Sequence, residues 1–143
     1  MKLITTFIIA TVLSFTAVTW AEDNARPGVT LVERAESPKL NDLAVAPRVV
    51  DKQPDGASNS HPADVGTLYC WASIQNSGEQ TSVKTIWRFQ DRVIAEPEAT
   101  VGKSIRWRSW TRQRINPDLK GAWSCEIVDA QGTSLGKAEF TVQ

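Results

Sequence analysis

The chain has 143 residues, with 16 Lys and Arg against 16 Asp and Glu, a formal net charge of zero and one histidine. Balanced charge excludes a polyanion binder acting through bulk charge. The length bounds the chain to one domain of about 100 residues plus short extensions.

Lys2 is followed by an apolar run from Leu3 to Val18, then Thr19-Trp20-Ala21 and the acidic pair Glu22-Asp23. A charged start, an apolar stretch and small residues at the last and third-last positions predict a secretory signal over residues 1–21, cleaved after Ala21. The run is interrupted by Thr5, Thr6, Thr11, Ser14 and Thr16 and is short for a span of ~20 apolar residues, so no membrane span is expected after cleavage. The expected location is the periplasm or the medium of a bacterium. In such a compartment two cysteines predict a disulfide rather than a metal site.

From Glu22 to Ala46 there is no sustained period, and Pro27, Gly28 and Pro38 punctuate a mixed polar stretch. Residues 22–46 are expected to be a flexible arm, with room for a short strand at Val29 to Val32. The folded domain is expected over 47–143, starting with a strand at Arg48 to Asp51. Leu68, Cys70, Ala72 and Ile74 alternate with Tyr69, Trp71 and Ser73, the two-residue period of a strand. Thr85, Trp87 and Phe89 predict a third strand, and Arg92 to Ala95 its hairpin return. A further strand runs from Lys103 to Ser109, with Ile105 and Trp107 facing inward. Trp123, Cys125 and Ile127 form a core face, Asp129-Ala130-Gln131-Gly132 is a turn, and Ala138, Phe140 and Val142 close the domain.

Several short alternating strands without helical period predict an all-β fold. The order Cys70, Trp87, Cys125 predicts an immunoglobulin-like antiparallel β-sandwich, with one disulfide joining Cys70 to Cys125 between the sheets and Trp87 packed against it. Trp123, two residues before the second cysteine, takes the place of the corner tyrosine of that pattern. The bridge would stabilise the fold by about 4 kcal/mol.

The segments Val49-Val50-Asp51-Lys52-Gln53-Pro54, Asp64 to Cys70, Ile86-Trp87-Arg88, Arg106-Trp107-Arg108-Ser109-Trp110, Gly121-Ala122-Trp123 and Val128 to Leu135 together resemble a bacterial family, domain of unknown function 2914. The resemblance runs from Val49 to Val142. It implies a β-rich, non-catalytic module of exported or membrane-tethered proteins, with no activity or cofactor to transfer. At Trp110-Thr111-Arg112-Gln113 the chain departs from the Ser-Ser-Lys-like run expected there.

No catalytic constellation stands out. His61 sits in a Ser-His-Pro segment and reads as a solvated loop residue, and one histidine makes no multi-histidine metal site. No pair of carboxylates is singled out, and there is no phosphate-binding glycine loop. No cofactor, no metal and no nucleic-acid partner are expected, and the chain is expected to be monomeric.

Charge is uneven along the chain: the middle is basic, from Lys84 to Lys120. Tyr69 and Trp71 fall on the face opposite Cys70, and Arg106, Arg108, Trp110, Arg112 and Arg114 share one parity. If these strands are neighbours, Tyr69, Trp71, Arg106, Arg108 and Trp110 form an outer face of rings and guanidinium groups. That face is either a binding platform for an anionic glycan or a ladder of arginines stacked on tryptophans that stiffens the sheet. The expected role is an interaction or adaptor module of the envelope, with an envelope protein or an anionic glycan as partner. The alternative is a carbohydrate-binding module for peptidoglycan or an anionic polysaccharide.

Overall fold

A computed structural model describes residues 26–143; the expected signal segment and its cleavage site lie outside them. Twelve strands follow in order: β1 (Val29–Leu31), β2 (Lys39–Ala46), β3 (Arg48–Val50), β4 (Gln53–Asp55), β5 (Ser60–His61), β6 (Thr67–Asn76), β7 (Thr81–Phe89), β8 (Arg92–Ala95), β9 (Glu98–Val101), β10 (Ser104–Arg114), β11 (Gly121–Val128) and β12 (Ser134–Val142). The wide sheet has the order β1-β12-β11-β7-β8, with β5 pairing β12 and β9 pairing β7. The narrow sheet is β10-β6-β2, and β3 and β4 form a separate hairpin. The protein is an all-β sandwich, as the alternating pattern predicts.

Cys70 on β6 and Cys125 on β11 are disulfide-bonded and join the two sheets. Trp87 is Cys125's register partner on β7 and is fully buried. Its indole donates to Thr111 Oγ1 at 3.2 Å and its ring meets Phe140 edge-on. Burying so large a side chain without orphaning its N–H is what a small core needs. Trp123 donates from Nε1 to the Leu119 carbonyl at 2.9 Å, fixing the corner before β11 as a tyrosine hydroxyl does in the expected pattern. Leu68, Ile74, Ile127, Leu135 and Val142 complete the core.

Residues 39–46 are not a flexible arm, as the sequence suggested, but a strand of the narrow sheet. Leu40, Leu43 and Val45 of β2 lie in the core, and β2 pairs β6 from Lys39↔Gln75 to Ala46↔Tyr69. A register shift between Leu40 and Asp42 breaks the two-residue period, and Ala44 and Ala46 are buried on the other face. A strand covered on both sides lacks the polar alternation that would reveal it. Upstream, β1 pairs β12, and Arg34 donates to the buried carboxylate of Asp129 at 3.2 Å. Burial alone would raise the Asp129 carboxyl. Hydrogen bonds from Thr133, Arg34 and Gln131, with Arg34's charge, hold it below its ordinary range instead.

Two further expectations are corrected. Arg48–Val50 is not a sandwich strand but one arm of the β3–β4 hairpin. His61 is not solvated: it is 4% exposed on β5, edge-on to Phe140 at 6.0 Å, with Nε2 2.9 Å from the Ser58 carbonyl oxygen. Burial lowers its pKa, which hydrogen bonding to the Ser58 and Val45 carbonyls only partly offsets.

Candidate functional site

The narrow sheet's outer face is the surface the sequence singled out, and β6 and β10 are neighbours as required. Their register is Arg108↔Ser73, Trp110↔Trp71 and Arg112↔Tyr69. Tyr69 therefore lies beside Arg112, and Trp71 beside Trp110, rather than beside Arg106 and Arg108. Across the sheet the rungs read Asp42–Ser73–Arg108, Ala44–Trp71–Trp110 and Ala46–Tyr69–Arg112. Side chains alternate between faces along a strand, which keeps Leu68, Cys70 and Ala72 inward.

Trp71 does point outward, yet it is only 3% exposed. The β3–β4 hairpin folds back over it. Asp51 and Lys52, at φ 51° and 62°, make the two-residue connection, whose paired positive φ values suit the twist of a tight hairpin. That geometry aims the Lys52 carbonyl at the indole, which donates to it at 2.9 Å. Arg48 and Asp55 close the base of the hairpin with a 2.6 Å ion pair. Trp110, without such a cover, is 39% exposed.

Beside the hairpin, two irregularities face each other across β6. One is the shift between Leu40 and Asp42 on β2; the other lies between Ser104 and Trp107 on β10. The second turns Ile105 outward to 84% exposure, contrary to its expected place in the core with Trp107. Bulges bend a strand and increase its local twist, and here they leave a groove of about 560 Å³. Its lining includes Ser73 and Trp71 of β6, Asn41 and Asp42 of β2 and Gln53 of the hairpin. Ile105, Arg106 and Arg108 of β10 complete it. Asn41 donates from Nδ2 to the Ile105 carbonyl at 3.2 Å, tying the two irregular segments together.

The charges of this face are one-sided. Asp42 is taken up by Arg26, whose Nε and Nη2 each donate at 3.0 Å to one carboxylate oxygen. Among the described residues, Arg106, Arg108, Arg112 and Arg114 make no ion pair. The ring–ring contacts of the described residues all lie in the core, between His61, Trp87, Phe89, Trp123 and Phe140.

The wide sheet's outer face is built differently. Arg88 and Glu126 pair at 2.8 Å, and Lys137 and Glu139 at 3.6 Å. Burial would raise the Glu126 carboxyl, but hydrogen bonds from Arg88 and Ser134 and the charges of Arg88 and Lys137 hold it below its ordinary range. A depression of about 430 Å³ over this face is lined by both signs, including Arg88, Asp91, Lys137 and Glu139.

The structure thus brings Trp71, Arg106 and Arg108 into one groove and places Tyr69 and Trp110 on the same face outside it. Asn41, Asp42, Gln53 and Ser73 were not singled out from sequence. Their convergence depends on a bulge and a folded-back hairpin, which leave no periodic signal. Among the described residues, no group of three or more His, Cys, Asp or Glu is placed to hold a metal ion.

No curated protein matches the chain. Among solved structures, a crystal structure of selenomethionine-labelled β-glucosidase from Kluyveromyces marxianus aligns with a TM-score of 0.43 at 10% identity, covering 74% of this chain and 14% of the other. The chain therefore spans only a small part of that protein's length. Residues 80–142, from just before β7 into the last strand, match the family described as protein of unknown function (DUF2914), the family its sequence motifs resemble.

Proposed function

We propose that this chain is a non-catalytic interaction domain of the bacterial envelope, exported to the periplasm or beyond, which binds an anionic partner through the outer face of β10-β6-β2. The observation that carries this reading is the set of arginines on β10 with no carboxylate partner among the described residues. Guanidinium groups are suited to planar, bidentate recognition of carboxylates and phosphates. A row of them left unpaired beside an exposed tryptophan is a surface ready to be neutralised from outside. The same reading takes the sandwich as immunoglobulin-like, supported by the β6–β11 bridge, Trp87 beside Cys125 and the Trp123 corner.

The test is co-sedimentation of the protein with peptidoglycan and with anionic polysaccharides at low and physiological salt. Saturable binding is expected to weaken with salt, because exposed charges are screened beyond about 8–10 Å, and to drop in Arg112→Gln/Arg114→Gln. Binding unchanged by salt and by that variant would sink the reading.

A further inference from the structure

We infer that the groove between the β2 and β10 bulges is a subsite for one carboxylate-bearing sugar residue, a hexuronate unit of an acidic polysaccharide. This rests on the outer face of the narrow sheet being the binding surface, and it adds the ligand class.

The chemistry of the lining carries the argument. Arg106 and Arg108 supply guanidinium groups with no carboxylate partner among the described residues. A free carboxylate is their natural complement. The remaining polar groups suit hydroxyls rather than a second anion. Asn41 keeps its carbonyl oxygen as an acceptor while its amide is bound to Ile105. Gln53 offers a full carboxamide from an exposed position on the hairpin, and Ser73 a hydroxyl from the centre of β6.

Asp42 brings acceptor oxygens whose charge is balanced by Arg26. A phosphate would meet that carboxylate without using it, whereas a sugar hydroxyl can donate to it. The Trp71 N–H is already committed to Lys52 and its ring lies under the hairpin, so Trp71 adds no further donor and little ring surface. Ile105, turned outward, gives one apolar wall for the face of a pyranose ring. The volume of about 560 Å³ falls within the ~300–1,000 Å³ of small-molecule sites. A neutral sugar would leave both guanidinium groups unanswered, and a bare anion would leave the carboxamides and Asp42 unanswered.

The experiment is an NMR titration of the full chain with trigalacturonate, maltotriose and inorganic phosphate. Trigalacturonate is expected to shift the Asn41 and Gln53 side-chain amides and the Trp71 indole saturably. Maltotriose should bind about ten-fold more weakly or worse, since it forgoes the charged hydrogen bonds. Phosphate should not shift the Asn41 or Gln53 amides. Arg108→Gln should cost a similar factor and Gln53→Ala a smaller one; both positions lie outside the core, so the fold is kept. Equal responses to trigalacturonate and maltotriose, or shifts by phosphate at the same amides, would overturn the inference. So would silence in the groove while acidic polymers still co-sediment, and the outer-face reading would then survive. Loss of co-sedimentation as well would remove the outer-face reading itself.

Discussion

The two outer faces of the sandwich handle charge in opposite ways. On the wide sheet, acids and bases are set within reach of each other, Arg88 with Glu126 and Lys137 with Glu139, and the face is neutralised from within. On the narrow sheet, the one carboxylate at the groove is held by Arg26, and the β10 arginines are left over. A net charge of zero conceals this division. Whole-chain charge reports on bulk behaviour, while binding depends on which charges are already answered.

The largest effect belongs to the bond that ties the two sheets together. Replacing Cys70 and Cys125 by Ala opens a cross-link with a sequence separation of 55 residues and should cost about 4 kcal/mol in urea unfolding. Next comes the asymmetry itself. Glu126→Gln strips Arg88 of its charged partner and should cost about 1 kcal/mol, whereas Arg112→Gln should stay within about 0.5 kcal/mol. Equal losses from the two variants would erase the distinction between the faces.

A smaller gain is expected at the hairpin that shields Trp71. Lys52 sits at φ 62°, a region glycine enters without steric cost. Lys52→Gly should raise stability by roughly 0.5–1 kcal/mol, read as a higher thermal midpoint, and should keep the indole bonded to the carbonyl. The smallest effect concerns His61. Its folded pKa is depressed, so below about pH 6.5, the unfolded value, the unfolded chain takes up a proton that the folded chain resists. Stability is then full above that pH and falls as pH drops through it, flattening below the folded pKa. Unfolding free energy measured from pH 8 to 5 should show this slope, and His61→Gln should remove its contribution.

How much of this could be read from the residues depended on what each signal rests on. Cys70, Trp87, Trp123 and Cys125 were legible because strand parity and spacing are local properties, and they landed in the core as expected. The strand at 39–46 was not, since its Asn41 irregularity shifts parity and its alanines are small enough to lie beneath a hairpin. Ile105 misled for the same reason: the period was read straight through a bulge. His61 was misread because its burial comes from Phe140 and the β12 edge, far away in sequence. At the candidate site, the arginine row on β10 was visible from alternation alone. The groove was not, because it needs β2, β4, β6 and β10 together.

β10 also forms a margin of its sheet, with a strand on one side only. Such margins invite a second molecule to add its own strand. An antiparallel approach of two copies centred on Trp110 would set Arg108 against Arg112 and Arg106 against Arg114, and like charges directly opposite one another repel. Sliding the register by two residues puts Arg108 against Arg114, or Arg106 against Arg112. Antiparallel sheet growth from copy to copy is therefore opposed at every in-face register by the strand's own composition, which guards this domain against edge-to-edge aggregation.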